Sequence, residues 1–176
     1  MNGAIAELDE TMTDRTHHGP LMRPSSQDDE EFLYSLLAED KAVQLAAMGW
    51  GRDQWGPLVE LQYRGRKMTY ESQYPDAENS ILLGEDGTPV GRLLLNRNRD
   101  RWRIVDLAIL TALRSRGLGT TILSYCQQQA AAAGASLELQ VAPFSTARRL
   151  YERLGFRAIS ESATAVEMVW NESIPA

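Results

Sequence analysis

The sequence predicts an α/β domain, and three kinds of pattern support that prediction. Residues 137–141 alternate apolar with polar side chains, which is the period of a half-buried strand. Residues 32–37 place apolar side chains at helical spacing, as an amphipathic helix does. Gly, Pro and Asp separate such segments at short intervals. In chain order the segments give strand, helix, helix, three strands, helix, strand, helix and two strands.

The N-terminal region divides into two parts. Residues 1–20 carry acidic side chains among small and polar ones without a sustained apolar period, so we expect a disordered tail. Residues 21–176 then form a single domain, since a chain of 176 residues with 43% apolar content can bury one sizeable core. The first element of this domain is a short strand at residues 21–24.

Two helices follow the first strand. Ser25 and Ser26 precede a run of acidic residues, which is the pattern of a helix N-cap. The first helix then presents an apolar face made by Phe32, Leu33, Leu36 and Leu37. Glycines interrupt residues 42–55, which predicts a broken helix and a loop. The second helix is expected at residues 57–73, because Pro75 disfavours helix at the residue before it.

The middle of the chain predicts a three-stranded meander. Strands at residues 80–83 and 89–95 flank Glu85-Asp86-Gly87, an Asp-Gly hairpin signal. Residues 96–100 form a polar turn, and the third strand covers residues 102–110. A helix from residue 117 to about 133 ends at Gly134.

The C-terminal third alternates strand and helix before a last hairpin. The strand at residues 137–141 is followed by a short helix at residues 146–154, which stops at Gly155. Strands at residues 156–160 and 165–170 then pair as the final hairpin.

Composition limits the function classes. A net charge of −6 and a pI near 5.0 argue against a duplex nucleic-acid binder and permit cationic partners. Cys126 is the only cysteine, so no intrachain disulfide can form. The sequence shows neither an apolar run long enough for a membrane span nor a signal peptide. We therefore expect a soluble cytoplasmic protein without metal, nucleic-acid or membrane partners.

The junction between the third meander strand and the long helix carries the strongest chemical signal. It contains Arg114-Ser115-Arg116-Gly117-Leu118-Gly119, in which glycines permit close backbone approach and a helix N-terminus offers free N–H groups to a pyrophosphate. Two arginines add positive charge there. The alternative is an ordinary strand-to-helix turn. Neither the nucleoside-triphosphate nor the dinucleotide glycine pattern is matched.

A second motif lies about thirty residues further on, Ala147-Arg148-Arg149-Leu150-Tyr151-Glu152-Arg153-Leu154-Gly155-Phe156. With the Arg-x-x-Gly-x-Gly loop, the pair resembles the Gcn5-related N-acetyltransferases (GNAT) over residues 21–170. The resemblance implies an α/β fold with a mixed, mostly antiparallel central sheet flanked by helices. It also implies transfer of an acetyl group from acetyl-CoA to an amine by direct attack.

The resemblance implies where acetyl-CoA binds. Backbone N–H groups of the loop would hold the pyrophosphate, at Arg114, Ser115, Arg116, Gly117, Leu118, Gly119 and Thr120. The preceding strand would pair with the pantetheine arm through Leu107, Ile109 and Leu110. The Ile109 N–H would then act as the oxyanion donor. Ser115 stands where many members have Gly, but it keeps its backbone donor.

Two residues near the short helix are also assigned by resemblance. Tyr151 matches the tyrosine that often protonates the departing CoA thiolate, and its alternative role is packing beside Leu150 and Phe156. Ser145 stands where many members have Asn that contacts the pantetheine arm. Its alternative role is to cap the helix that follows.

The acceptor side of the reaction is less defined. Asp106 is the candidate general base, with a structural surface charge as the alternative. Acceptor selection is assigned to the first two helices and their loop, which carry Trp50, Trp55, Glu60, Tyr63 and Tyr70. The acceptor amine stays unidentified, and a homodimer stays open. The rival interpretations are a non-catalytic acyl-CoA-binding sensor and an interaction module of the same fold.

Overall fold

The computed structural model describes residues 19–49 and 51–172. The strands are β1 (Met22–Pro24), β2 (Glu78–Leu83), β3 (Pro89–Asn98), β4 (Arg101–Ile109), β5 (Ser136–Val141), β6 (Arg157–Glu161) and β7 (Val166–Trp170). The helices are α1 (Glu30–Ala47), α2 (Arg52–Gln73), α3 (Leu118–Ala132) and α4 (Ala147–Arg153). This order confirms the predicted α/β class. Most of the predicted tail, residues 1–18, lies outside the described residues.

The seven strands form one mixed sheet in the order β1-β2-β3-β4-β5-β7-β6. Every neighbouring pair is antiparallel except β4 and β5, which are parallel. The larger core cluster joins one face of the sheet to α3 and includes the fully buried Ile122, Leu123 and Leu137. A smaller cluster on the other face packs α1 against Ile81 of β2.

The start of α2 differs from the sequence prediction. The helix begins at Arg52 instead of residue 57, and Pro57 lies inside it. Trp55 donates its N–H to the Gly51 carbonyl oxygen at 3.2 Å, so helical hydrogen bonding is established before the proline. Proline removes one backbone donor there, and the long helix that follows tolerates this loss. The predicted break is real but shorter, because α1 continues to Ala47 and Gly49 adopts φ +80°.

The hairpin between β3 and β4 is also tighter than predicted. Pairing continues to Asn98 opposite Arg101, so only Arg99 and Asp100 form the turn that the sequence assigned to residues 96–100. Arg99 adopts φ +47°. The guanidinium of Arg97 lies 4.3 Å from the ring centroid of Trp102, a cation–π contact that supports the extra pairing across the strands.

The predicted N-cap region links β1 to α1. The Ser26 N–H donates to the Asp29 carboxylate at 2.8 Å, and two nitrogens of Arg23 donate to the same carboxylate at 2.6 and 2.7 Å. Asp29 is only 4% exposed. The Arg23 guanidinium and the Ser26 N–H hold the pKa of the Asp29 carboxyl well below its usual range.

We expect Asp29→Asn to destabilise the protein at neutral pH by about 2 kcal/mol, because the buried carboxylate loses charge-assisted hydrogen bonds. The folded-state pKa lies below the unfolded value, so this contribution is present above about pH 4 and is lost as pH falls through the folded-state pKa. Urea unfolding of both proteins at several pH values measures it.

Asp28→Asn, one residue earlier and exposed, is the matched control and is expected to change stability much less. A difference between wild type and Asp29→Asn that stays constant from pH 7 to pH 3 contradicts the assignment.

Candidate active site

The sheet opens between its two parallel strands. β4 pairs with β5 only from Arg101 to Ile104, although both strands continue beyond this segment. The β3–β4 register shifts at the same point, because Leu95 faces Ile104 whereas Leu94 faces Asp106. Val105 is therefore an extra residue in β4, and such a bulge bends the strand. The bend directs the second half of β4 away from β5 and leaves a cleft between them.

The second half of β4 presents a backbone edge to this cleft. Leu110 donates its N–H to the Val90 carbonyl oxygen of β3 at 3.0 Å. In an antiparallel pair the backbone groups alternate in direction, so the N–H groups of Leu107 and Ile109 point away from β3. Both residues line the cleft. This orientation suits the predicted pairing with a pantetheine arm at Leu107 and Ile109, whereas the N–H of Leu110 is already bonded elsewhere.

The loop after β4 forms one end of the cleft. Ser115 and Gly117 adopt φ +61° and +90°, and α3 starts at Leu118. The Thr121 N–H donates to the Gly117 carbonyl oxygen at 3.0 Å, which is the first bond of the helix. The N–H groups of residues 118–120 thus have no acceptor within α3 and are available to an anion.

Gly119 lines the cleft and also packs closely against two neighbouring elements. A Cβ atom there would lie 3.3 Å from Leu150 Cδ2 and 3.7 Å from Ile109 Cδ1. The missing side chain lets the start of α3 pack closely on α4 and β4. Gly117 needs its freedom for the turn, since a Cβ there meets open space while φ is positive.

The two arginines of the loop differ in their surroundings. Arg114 donates from Nη1 to Asp40 of α1 at 3.0 Å and from Nε to the Ile109 carbonyl oxygen at 2.9 Å. Its guanidinium therefore fastens the loop to α1 and to the end of β4. Arg116 is exposed and has no partner among the described residues.

Helix α4 forms the opposite wall. The ring of Tyr151 packs edge-to-face on Phe156, with centroids 5.8 Å apart, and the residue lines the cleft. Burial first, and the Asp106 charge second, raise the pKa of the Tyr151 phenol, so the hydroxyl stays protonated at neutral pH. The Ser145 hydroxyl accepts the Ala147 N–H at 3.2 Å, a local bond just before α4, but the N-cap of the helix is Thr146 instead of the predicted Ser145. Ser145 also lines the cleft.

Asp106 lies on the face of the sheet that α1 and α2 cover, where its two carboxylate oxygens meet two arginines. Oδ1 accepts from Arg66 of α2 at 3.3 Å, and Oδ2 accepts from Arg92 of β3 at 3.3 Å. The Asp106 side chain is 17% exposed. Arg92 also donates to the Asn79 side-chain oxygen at 2.8 Å.

The aromatic residues assigned to acceptor selection separate into two groups. Tyr63 and Tyr70 line the cleft, whereas Trp55 and Glu60 do not. Glu60 instead accepts from Arg64 at 2.7 Å on the outer side of α2. Trp50 lies outside the described residues.

Most of the predicted site residues thus meet in one cleft of about 1820 Å³. Those that line it are Asp106, Leu107, Ile109, Arg114, Ser115, Gly117, Gly119, Thr120, Ser145 and Tyr151. Leu110, Leu118 and Arg116 do not line it. Leu110 packs against the smaller core cluster and Leu118 against the larger one.

A family model described as the acetyltransferase (GNAT) family matches residues 48–156, more than half of the chain. The chain belongs to the GNAT acetyltransferase family. The matched range contains both wall segments of the cleft, from the bulge in β4 to the tyrosine of α4. No curated protein is significantly similar to the sequence.

Solved structures of GNAT proteins share this fold. The PaiA N-acetyltransferase of Thermoplasma acidophilum, in complex with coenzyme A, is 16% identical with a TM-score of 0.66, covering 88% of this chain and 99% of that chain. A Corynebacterium glutamicum structure described as histone acetyltransferase HPA2 and related acetyltransferase is 21% identical with a TM-score of 0.61, covering 90% and 99%. At these identities the likeness establishes the fold alone.

Four cleft residues of this GNAT protein were not identified from sequence. Arg66 and Arg92 contact Asp106, and Arg149 and Arg153 line the cleft one helical turn apart on α4. Among the described residues, neither Arg149 nor Arg153 pairs with a carboxylate, whereas Arg148 of the same helix pairs with Glu152 and Glu161. The sequence does contain an indication for Arg92. It directly precedes the apolar run Leu93 to Leu95 in a predicted strand, and a charged side chain in a buried strand needs a partner of opposite charge.

The described residues contain neither a membrane-spanning helix nor a group of side chains suited to bind a metal ion. None of the helices within residues 19–49 and 51–172 is long and apolar enough to cross a membrane. Over the same ranges, no group of three or more His, Cys, Asp or Glu side chains is placed to hold a metal ion.

Proposed function

We propose that this GNAT protein transfers the acetyl group of acetyl-CoA directly to an amine held between α1, α2 and the face of β3 and β4. The observation that carries the proposal is the backbone edge of Leu107 and Ile109, which faces the cleft where β5 has diverged. This edge, the N-terminus of α3 and Tyr151 line the same cleft, so donors for a phosphate, an amide arm and a thioester lie within one site.

Each part of acetyl-CoA finds a matching chemical group within this site. The N–H groups at the start of α3 suit the pyrophosphate, and Arg149 and Arg153 supply positive charge for a further phosphate. The N–H and carbonyl groups of Leu107 suit an amide of the pantetheine arm, whereas the Ile109 carbonyl oxygen already accepts from Arg114. The thioester would then lie between the Ile109 N–H and the Tyr151 hydroxyl.

The proposed reaction forms a C–N bond and breaks a C–S bond. A neutral amine attacks the thioester carbonyl, and the Ile109 N–H stabilises the negative oxygen of the tetrahedral intermediate. Collapse of the intermediate expels the CoA thiolate, which takes a proton from the Tyr151 hydroxyl. The excess proton of the attacking nitrogen passes to a base or to water, and the tyrosine is reprotonated from solvent.

Asp106 stays the proposed base, directly or through a water molecule. Because Arg66 and Arg92 each contact one of its oxygens, an ammonium group or water must compete with a guanidinium to reach it. This competition matters most for an acceptor of pKa about 10.4, whose deprotonation at pH 7 costs roughly 4.6 kcal/mol.

The proposal predicts selective stabilisation by acetyl-CoA. Ligand at about one hundred times its dissociation constant adds roughly 2.7 kcal/mol to the free energy of unfolding, and a thermal-shift titration measures this. ATP and NAD, whose phosphate motifs the loop lacks, are the matched controls and are expected to have little effect. Release of CoA thiol with a panel of amines, peptides and aminoglycosides then tests transfer.

The outcomes separate the rival functions. Stabilisation by acetyl-CoA without thiol release for any amine supports a non-catalytic acyl-CoA sensor. Absence of any response to millimolar acetyl-CoA contradicts the cofactor site and leaves an interaction module of this fold.

A further inference from the structure

The acceptor half of the cleft has an unusual charge arrangement at its floor. One carboxylate, Asp106, is shared by two guanidinium groups, those of Arg66 and Arg92. The Arg92 side chain is only 16% exposed. A buried charge is costly unless it is paired, and Asp106 can neutralise Arg92. The Arg66 side chain, which is 47% exposed, then keeps its positive charge at the cleft surface, where a ligand can reach it.

The other carboxylate whose charge acts on Arg66, that of Asp40, already pairs with Arg114 at 3.0 Å. Lys67 and Glu30 pair with each other at 2.8 Å, so together they add no net charge. Glu71 lines the cleft but is exposed and contacts neither arginine. Among the described residues, Asp106 is the only carboxylate in contact with Arg66 or Arg92. The three side chains together therefore carry a net charge of one positive unit.

The geometry also leaves donors unused. Both contacts to Asp106 are 3.3 Å, longer than the 2.7–2.9 Å typical of charge-assisted N–H···O bonds. Arg66 uses Nε and Nη2, and Arg92 uses Nε and Nη1. Within the described part of the chain, Nη1 of Arg66 and Nη2 of Arg92 have no acceptor.

Tyr70 fixes the two arginines in place. Its ring centroid lies 5.6 Å from the guanidinium carbon of Arg66 and 5.5 Å from that of Arg92, and its hydroxyl accepts from Arg66 at 2.8 Å. The guanidinium groups are therefore preorganised, which lowers the entropy that a ligand must overcome to bind them.

We infer that the acceptor is an amine that also carries a carboxylate, and that Arg66 and Arg92 bind this carboxylate while its amino group faces the thioester. This inference rests on the proposed acetyl transfer and names its substrate class. Planar guanidinium groups match carboxylate geometry, and the acceptor's negative charge balances the excess charge beside Asp106. The acceptor thus belongs to the amino acids instead of the polycationic amines that the net charge of −6 would favour.

The test compares ω-amino acids of increasing length with their carboxamides, using release of CoA thiol. At the preferred length we expect kcat/KM for the acid to exceed that for the amide by about tenfold or more, as one charged hydrogen-bonded contact provides. Arg92→Gln and Arg66→Gln are expected to bring this ratio close to one. Taking the ratio within each variant cancels the intrinsic reactivity of the amines.

Arg64→Gln is the matched control, since Arg64 lies on the same helix, pairs with Glu60 and does not line the cleft. It is expected to keep the wild-type ratio. Acetyl-CoA affinity, measured by calorimetry, is expected to stay unchanged in all three variants.

Three results overturn the inference. The first is equal or better use of the amides by wild type, which leaves the proposed acetyl transfer intact. The second is an acid-to-amide ratio that survives both arginine substitutions. The third is the absence of turnover with any amine, which removes the proposed function together with the inference.

Discussion

Tyr151→Phe is expected to lower kcat by about a hundredfold or more while changing the dissociation constant of acetyl-CoA by less than about twofold. The substitution keeps the ring that packs on Phe156 and removes only the hydroxyl. Loss of rate therefore reports proton donation to the departing thiolate. Single-turnover thiol release and calorimetry with acetyl-CoA measure the two quantities separately.

The surroundings of Tyr151 fit a proton donor. A phenol of pKa about 10 transfers its proton to a thiolate of pKa about 8.5 at an uphill cost of roughly 2 kcal/mol. Burial and the Asp106 charge raise the phenol pKa further, so the protonated form persists as pH rises. We therefore expect tyrosine ionisation to lower the rate only at pH values above those that ionise a free tyrosine.

The control for this substitution is Tyr125→Phe. Tyr125 packs against the same large core cluster from α3 but does not line the cleft. It is expected to keep normal turnover. Near-normal turnover in a stable Tyr151→Phe protein contradicts the donor role and assigns Tyr151 to packing, with water protonating the thiolate.

Gly91→Ala is expected to destabilise the protein by about 3 kcal/mol, or about 10 °C in melting temperature. A Cβ atom at this position would clash with the Ala108 carbonyl oxygen and would lie 3.0 Å from Leu82 Cδ1. The first neighbour is backbone and cannot rotate away, so β3 and β4 must separate. Gly91 pairs with Ile109, and the separation falls on the edge proposed to bind pantetheine.

We therefore expect Gly91→Ala to weaken acetyl-CoA binding about tenfold as well, measured by calorimetry well below the melting temperature. Gly65→Ala is the matched control. A Cβ atom there meets nothing within 4 Å inside helix α2, and alanine is the better helix former by about 1 kcal/mol. Unchanged stability and unchanged binding in Gly91→Ala contradict the close approach of the two strands.

Local patterns in the sequence were sufficient for the order of the elements and for most of the residues that line the cleft. Alternation, helical spacing and turn residues are properties of neighbouring residues, so they predicted every strand and the loop that ends at Leu118. They failed at Pro57, where the hydrogen bonds of the preceding turn decide whether the helix continues.

The net charge of the whole chain does not predict the charge of an individual site. A net charge of −6 describes the whole sequence, whereas the floor of the cleft holds two arginines around one carboxylate. Arg66, Arg92 and Asp106 come from α2, β3 and β4. Their spacing along the chain carries no information about their contact, because only the packing of α2 on the sheet brings them together.

The sequence by itself determined the class of the domain, the order of its elements and the two motifs that form opposite walls of the cleft. Only the tertiary structure decided the placement of β7 between β5 and β6, the divergence of β4 from β5, and the attachment of Arg114 to Asp40. Strand order, a bulge and a contact between distant helices and loops depend on pairings between remote segments. Local propensity does not encode such pairings, and the burial of a shared core selects them.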